Sequence, residues 1–191
     1  MTATLSTRDQ ILDCAQGLIQ TRGYNGFSFR DIANDIGIKS ASIHYYYPGK
    51  TDLAVAVAAK YREAFMKATE KIAARETKAP EVLTAYAALF ETTLKSESKL
   101  CLCGMLASEV NSIDPELRAE ISDFFKEQHD LLARIIARGQ SKGEIRQQVE
   151  TEDFAKAYLA ALEGAMIMAR INNAPSDIMR AADQMISLIQ N

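Results

Sequence analysis

The chain has 191 residues, 48% hydrophobic and 25% charged, with a net charge of −3. These proportions suit one or two folded units and exclude a disordered chain; the weak negative charge excludes a global basic field as the means of holding nucleic acid. Three cysteines, an odd number, argue against a disulfide scaffold.

Nine glycines and four prolines are few breakers, and the abundant Ala, Leu, Ile, Glu and Lys favour helix. Ser6-x-x-Asp9 has the spacing of a capping box, followed by Ile11, Leu12, Ala15, Leu18 and Ile19 at helical intervals, and Gly23 ends that helix. Ser28-x-x-Asp31 is a second box, opening a short helix that stops at Gly37. A third short helix covers residues 40–47 and is closed by Pro48-Gly49. From Lys50 a stretch without breakers reaches Glu76, about 40 Å of helix at 1.5 Å per residue. Pro80 marks the first position of the next helix, which ends near Ser98, and a shorter one follows Gly104. Asp114 caps a helix whose apolar stripe runs from Leu117 to Ile136 and which ends at Gly143. Thr151 caps another that reaches about Asn173, and Pro175 opens the last. The expected fold class is all-α, with about nine helices and no strand.

The first residues lack an apolar core of the signal-peptide type, and the longest apolar run, residues 53–59, is far too short to span a bilayer. The expectation is a soluble, cytoplasmic protein without membrane contact.

Residues 28–47 carry the chemistry. Ala33 is small enough for two helices to cross closely, and Gly37 tolerates the positive φ of a three-residue turn. On a wheel of 100° per residue, Ile43 and Tyr47 face inward, whereas Ala41, Ser42 and Tyr45 face outward. No acid lies between Asp35 and Asp52, a stretch that holds Lys39, His44, three tyrosines and Lys50. A small, polar and aromatic face without carboxylates suits base edges, thymine methyls and phosphates. A surface helix of an ordinary bundle would carry Glu and Lys there instead.

The run Ser28-Phe-Arg-Asp-Ile-Ala-Asn-Asp-Ile-Gly-Ile-Lys-Ser-Ala-Ser-Ile-His-Tyr-Tyr-Tyr-Pro-Gly-Lys50-Thr-Asp-Leu53 resembles the TetR (TetR/AcrR) family of transcriptional regulators. Thr7 to Leu12 and Arg22-Gly23-Tyr24 match the family's first helix, so the specific resemblance covers about residues 5–65. It implies an N-terminal three-helix DNA-binding domain (residues 5–65, helix-turn-helix 28–47). It also implies a C-terminal effector-binding and dimerisation domain (residues 66–191), and a homodimer, joined through the last two long helices, that represses from a palindromic operator on double-stranded DNA. Arg30, Ser40, Ala41, Ser42 and Tyr45 match positions that approach bases; Ser28, His44, Tyr46 and Lys50 match positions that approach phosphates. His44 departs from the usual Tyr, which makes a contact there dependent on protonation. Lys39 stands where the family often has a capping Ser, and joins the candidate DNA-facing residues as a cation.

The family pattern further implies a pocket for a small apolar or amphipathic effector. Phe90, Met105, Phe124, Phe125, Tyr158 and Met168 are candidate apolar lining, with His129 and Glu163 as polar contacts. The plainer reading of each is ordinary packing. The helix after Thr151 is rich in Ala and Gly, which permits close helix approach on more than one side. Cys101 and Cys103 are candidate sensing thiols, with packing as the alternative. Their C-x-C spacing lacks a second ligand pair, so neither a metal site nor a cofactor is expected.

An enzyme and a helical adaptor without DNA affinity are the rival classes. No nucleotide-binding glycine loop, paired carboxylates or nucleophile elbow is present. Salt-sensitive retention on DNA excludes both rivals.

Overall fold

Serines cap the first two helices of this chain, Ser6 by accepting the Asp9 N–H and Ser28 through a capping box with Asp31. The computed structural model describes residues 5–75 and 77–191 and, among these, forms nine α-helices, one 3-10 turn and no strand. The helices are α1 (Thr7–Arg22), α2 (Phe29–Ile36), α3 (Ser40–Tyr46), α4 (Lys50–Ala73), α5 (Ala79–Lys95), α6 (Leu102–Ser108), α7 (Pro115–Ser141), α8 (Thr151–Ile171) and α9 (Ser176–Ile189). The end expected for α4, at Glu76, lies outside the described residues. The others end within a few residues of their sequence signals. α5 stops at Lys95 rather than near Ser98, because Glu97 and Ser98 turn left-handed at φ 57°. α8 is capped by Glu150 rather than Thr151, and Pro175 sits before α9 instead of inside it.

The chain forms two compact units. One comprises the residues up to Glu63 together with Leu102–Asp123; the other comprises Ala64–Cys101 and Phe124–Asn191. The cuts fall inside α4 and α7, so each of these helices contributes to both units. Leu102–Asp123, distant in sequence from the N-terminus, therefore belongs to the same unit as α1 to α3.

In the first unit Ile11, Ala15 and Ile19 of α1, Ile32 of α2, Ile43 of α3, Leu53 and Ala54 of α4, and Leu102 and Leu106 of α6 are all fully buried. Each Leu or Ile among them contributes about 1.5–3 kcal/mol on leaving water. Polar groups of the 102–123 segment complete the unit. Glu109 accepts from the backbone N–H groups of Tyr24 (2.9 Å) and Asn25 (3.0 Å) and from the Asn25 amide (2.6 Å). The Thr51 hydroxyl donates to Asp114, and Arg62 pairs with Glu120 at 3.2 Å.

In the second unit α9 buries Ile178, Ala182, Ile186 and Ile189, one side of the helix, against α5 and α8. α8 buries Ala155, Tyr158, Leu159, Leu162, Met166 and Ala169. No described helix is long and apolar enough to cross a membrane.

Two glycines hold left-handed or positive-φ backbone in the first unit, and their surroundings differ. Gly37 (φ 70°) has open space where a Cβ would stand. Gly23 (φ 81°) would bring a Cβ to 2.0 Å from Glu109 Oε1, an atom fixed by its hydrogen bonds. Gly37→Ala should therefore cost only the backbone term, about 1–2 kcal/mol, and Gly23→Ala clearly more. Denaturant unfolding followed by circular dichroism checks the order, and equal losses would contradict it.

Candidate functional site

The site begins with how α2 ends and α3 starts. One oxygen of Asp31 accepts both the backbone N–H (2.7 Å) and the hydroxyl (2.6 Å) of Ser28, which fixes the first turn of α2. These bonds also hold the Asp31 carboxyl below its usual pKa. Gly37 takes the left-handed conformation (φ 70°, ψ 34°), and the next N–H, of Ile38, returns to the Ala33 carbonyl at 3.0 Å. This is the helix stop that glycine permits and that a Cβ opposes. Ile32, Ala33, Ile43 and Tyr47 are buried beneath the corner, with Ile36 and Ile38 half-buried at its rim. The Tyr47 hydroxyl accepts from Arg8 Nε at 3.3 Å, linking α1 to the end of α3.

The opposite face of α3 is open. Ala41, His44, Tyr45 and Tyr46 are exposed, and Ser40 and Ser42 are half-buried. Tyr45 is 83% exposed, with its ring edge-on to Tyr46 at 5.2 Å. Burial does not account for an aromatic side chain in this setting. Arg30 and Lys39 are exposed on the adjoining segments.

The residues expected at phosphates are more constrained than their sequence positions suggest. Ser28 gives its hydroxyl to Asp31. The Lys50 ammonium donates to the Phe27 carbonyl and lies 4.3 Å from the Phe27 ring centre and 4.9 Å from that of Tyr24. Burial lowers its pKa. Lys50 therefore ties the loop before α2 to the head of α4. Asp52 accepts the Gly49 N–H at 2.7 Å, occupying one donor at that helix start. His44 sets its ring against Phe29 (4.8 Å), with Nδ1 3.3 Å from the Pro48 carbonyl.

The residues expected to line an effector pocket fall into separate groups. Phe90, Phe124 and Tyr158 are buried and form an aromatic set in the second unit with buried Tyr86 and half-buried Phe65. Phe65 lies 6.2 Å from Tyr86, 6.0 Å from Phe90 and 5.4 Å from Phe124. Phe125 is half-buried beside Phe124 at 5.3 Å. Met105 belongs to the first unit, and Met168 is 60% exposed. His129 is half-buried, and burial, then Lys156, lowers its pKa. Cys101 and Cys103 are both buried, and Cys101 donates its backbone N–H to the Met166 sulfur at 3.3 Å. Cys14, hydrogen-bonded to Asp35, has its thiol pushed up to about 11 by burial.

Two further core groups were not legible in the sequence. Tyr86 donates its hydroxyl to buried Gln128 (3.1 Å), whose amide in turn donates to the Met66 sulfur. Gln128 looks like a surface residue in a polar stretch, and only the turn of α7 carries it inward.

A short three-helix unit with a capped α2, a left-handed glycine turn and an exposed, acid-free α3, carried on a larger helical bundle, defines a helix-turn-helix DNA-binding protein. The chain belongs to the TetR family of transcriptional regulators. Residues 80–185 match the family model described as Tetracyclin repressor-like, C-terminal domain, and residues 11–57 match that of Bacterial regulatory proteins, tetR family. A TetR-family transcriptional regulator from Agrobacterium tumefaciens is 29% identical, with a TM-score of 0.92 over 96% of this chain and 97% of that one. A TetR transcriptional regulator from Legionella pneumophila is also 29% identical, with a TM-score of 0.88 over 99% and 100%. The Fatty acid metabolism regulator protein of Bacillus subtilis (strain 168) is 21% identical over 180 residues, 94% of this chain and 92% of that protein.

Among the expected pocket residues, Glu163 is the carboxyl whose ionisation burial shifts upward. Burial raises its carboxyl to about 7, and the Cys101 thiol, as a hydrogen-bond partner, pulls the other way. The folded value lies above the ordinary one near 4.5, so the neutral form stabilises the fold fully below pH 4.5 and that contribution is lost as pH rises through 7. Glu163→Gln, a permanent neutral mimic, should gain about 1–3 kcal/mol relative to the parent between about pH 5 and about pH 8.5. Unfolding curves at the two pH values test this, and a constant difference would contradict it.

Proposed function

We propose that this TetR-family regulator is a repressor that binds a palindromic operator as a homodimer and leaves it when a small apolar or amphipathic effector binds the second unit. The observation that carries the proposal is the exposed, carboxylate-free face of α3, with Tyr45 as its most exposed aromatic. Arg30, Ser40, Ala41, Ser42 and Tyr45 would meet bases, with Ser28, His44, Tyr46 and Lys50 at or near phosphates and Lys39 as a further cation facing the DNA backbone. One short helix reads few bases, and two copies across a two-fold axis read enough for useful specificity. The outer side of α8 supports such pairing. Ala157, Ala160, Gly164, Ile167, Met168 and Ile171 are exposed there at intervals of three and four residues, and Leu188 is exposed on α9. Small residues flanked by large apolar ones allow close approach of a second copy. The regulator would act on DNA in the cytoplasm.

Continuity of the chain supports control by an effector. α4 begins at Lys50 beside the loop that precedes α2, and its later residues, Phe65 and Met66, touch the aromatic core of the second unit. A ligand that displaces those later residues acts on the same 24-residue helix. A typical coupling of about 1–3 kcal/mol changes DNA affinity 5- to 150-fold.

Genomic fragments selected with purified protein provide the test. Retention should fall steeply with salt, and light scattering of the complex should give two protein copies per half-site pair. Tyr45→Ala should erode discrimination by about 1–3 kcal/mol, while Lys39→Ala should weaken all sequences alike and reduce the salt slope by about one. A monomer on DNA, or selection unaffected by both changes, would overturn the proposal.

A further inference from the structure

Among the described residues, none donates a hydrogen bond to one buried carboxyl oxygen of the second unit, although the thiol of Cys101 partners the same carboxyl. Glu163 lies on α8; the residue as a whole is half-buried, but its Oε1 is out of solvent and has no hydrogen-bonding partner. Its ionisation responds to burial and to the Cys101 thiol, and to no cationic side chain. An orphan carboxylate of this kind is costly to keep unless something supplies a donor or a positive charge.

The neighbouring groups narrow what that something is. Tyr86 is close enough to Glu163 and Cys101 to feel both electrostatically. Its ring stands 5.8 Å from Phe90, 6.2 Å from Phe65 and 6.5 Å from Tyr158. The tyrosine hydroxyls are already committed, Tyr86 to Gln128 and Tyr158 to the Leu83 carbonyl at 2.9 Å. What the rings still offer a ligand is therefore their π faces and edges. Aromatic faces attract cations and contribute nothing comparable to an anion. A neutral ligand with a hydroxyl would satisfy one lone pair on Glu163, whereas a cation also answers the charge.

The geometry points to a lipophilic organic cation as the effector, its ammonium group set between Glu163 Oε1 and the ring of Tyr86 and its apolar body among Phe65, Phe90 and Tyr158. The inference rests on the reading of the second unit as the effector-binding part of a DNA-binding regulator. An anionic amphiphile is disfavoured at this end by Glu163 itself.

Calorimetric titration of the full-length protein with three probes sharing a ten-carbon chain tests the assignment. The probes are decyltrimethylammonium, 1-decanol and decanoate, each below its micelle threshold. Decyltrimethylammonium should bind at least about tenfold more tightly than the other two. Glu163→Gln should weaken decyltrimethylammonium at least about tenfold and so abolish that preference, and Glu163→Asp should restore part of it. Helix content and thermal unfolding of each variant report whether it has folded, and Cys101→Ser, which leaves the carboxylate in place, should keep the preference for the cation. Tightest binding of decanoate, no binding of the cation, or a cation preference that survives in folded Glu163→Gln would overturn the inference. A parallel DNA-retention assay separates the two readings. Failure to retain DNA removes the regulator reading alone, whereas retained DNA without cation preference removes this one alone.

Discussion

Glu109 accepts N–H groups from Tyr24 and twice from Asn25, and the DNA-binding unit is organised around that one carboxylate. The turn between α1 and α2 exposes donors that no local side chain satisfies, and leaving them unpaired would cost about 1–3 kcal/mol each if buried. Glu109 answers them from more than 80 residues away in sequence. Gly23 is needed for the approach, since a Cβ would collide with the same oxygen. Asp114, accepting from the Thr51 hydroxyl, and Glu120, paired with the Arg62 guanidinium, repeat the pattern along α4. Three acids of one segment thus hold the turn after α1 and the first half of α4, the elements that flank the helix-turn-helix.

Under the proposed function, this arrangement would be the route of control. The 102–123 segment belongs to the DNA-binding unit, yet it is followed directly by the part of α7 that carries Phe124 and Gln128 in the second unit. α4 crosses in the same way, from Lys50 to Phe65 and Met66. An effector acting on the aromatic set has two continuous helices on which to act. The second unit also contains polar atoms that a purely structural core would avoid. Tyr86 and Gln128 satisfy one another, whereas Glu163 Oε1 is left over. A core under selection for stability alone would replace that carboxyl with an apolar group of similar size.

Local features were the legible part of the sequence. Ser28-x-x-Asp31, Gly37 and the inward pair Ile43 and Tyr47 are set by capping, by steric rules and by helical period, all of which act within a few residues. They gave the helix-turn-helix and its outward Tyr45 directly. Lys50 was only half legible. Its place at a helix start suggested a phosphate, but its ammonium folds back onto Phe27, a choice made by a carbonyl in another element. Glu109 and Gln128 carry no local signal, because the groups they serve are brought to them by the fold. The effector lining was predicted from apolar identity alone, which does not distinguish buried Phe90 and Tyr158 from exposed Met168.

The central claim is that the outer face of α3 enters the major groove. Dimethyl sulfate modification of a selected fragment reads that groove directly, through guanine N7. The account predicts N7 protection in two patches about one helical turn apart, on one face of the duplex and related by the symmetry of the site. Unprotected N7 positions throughout a fragment that the protein demonstrably occupies would contradict it.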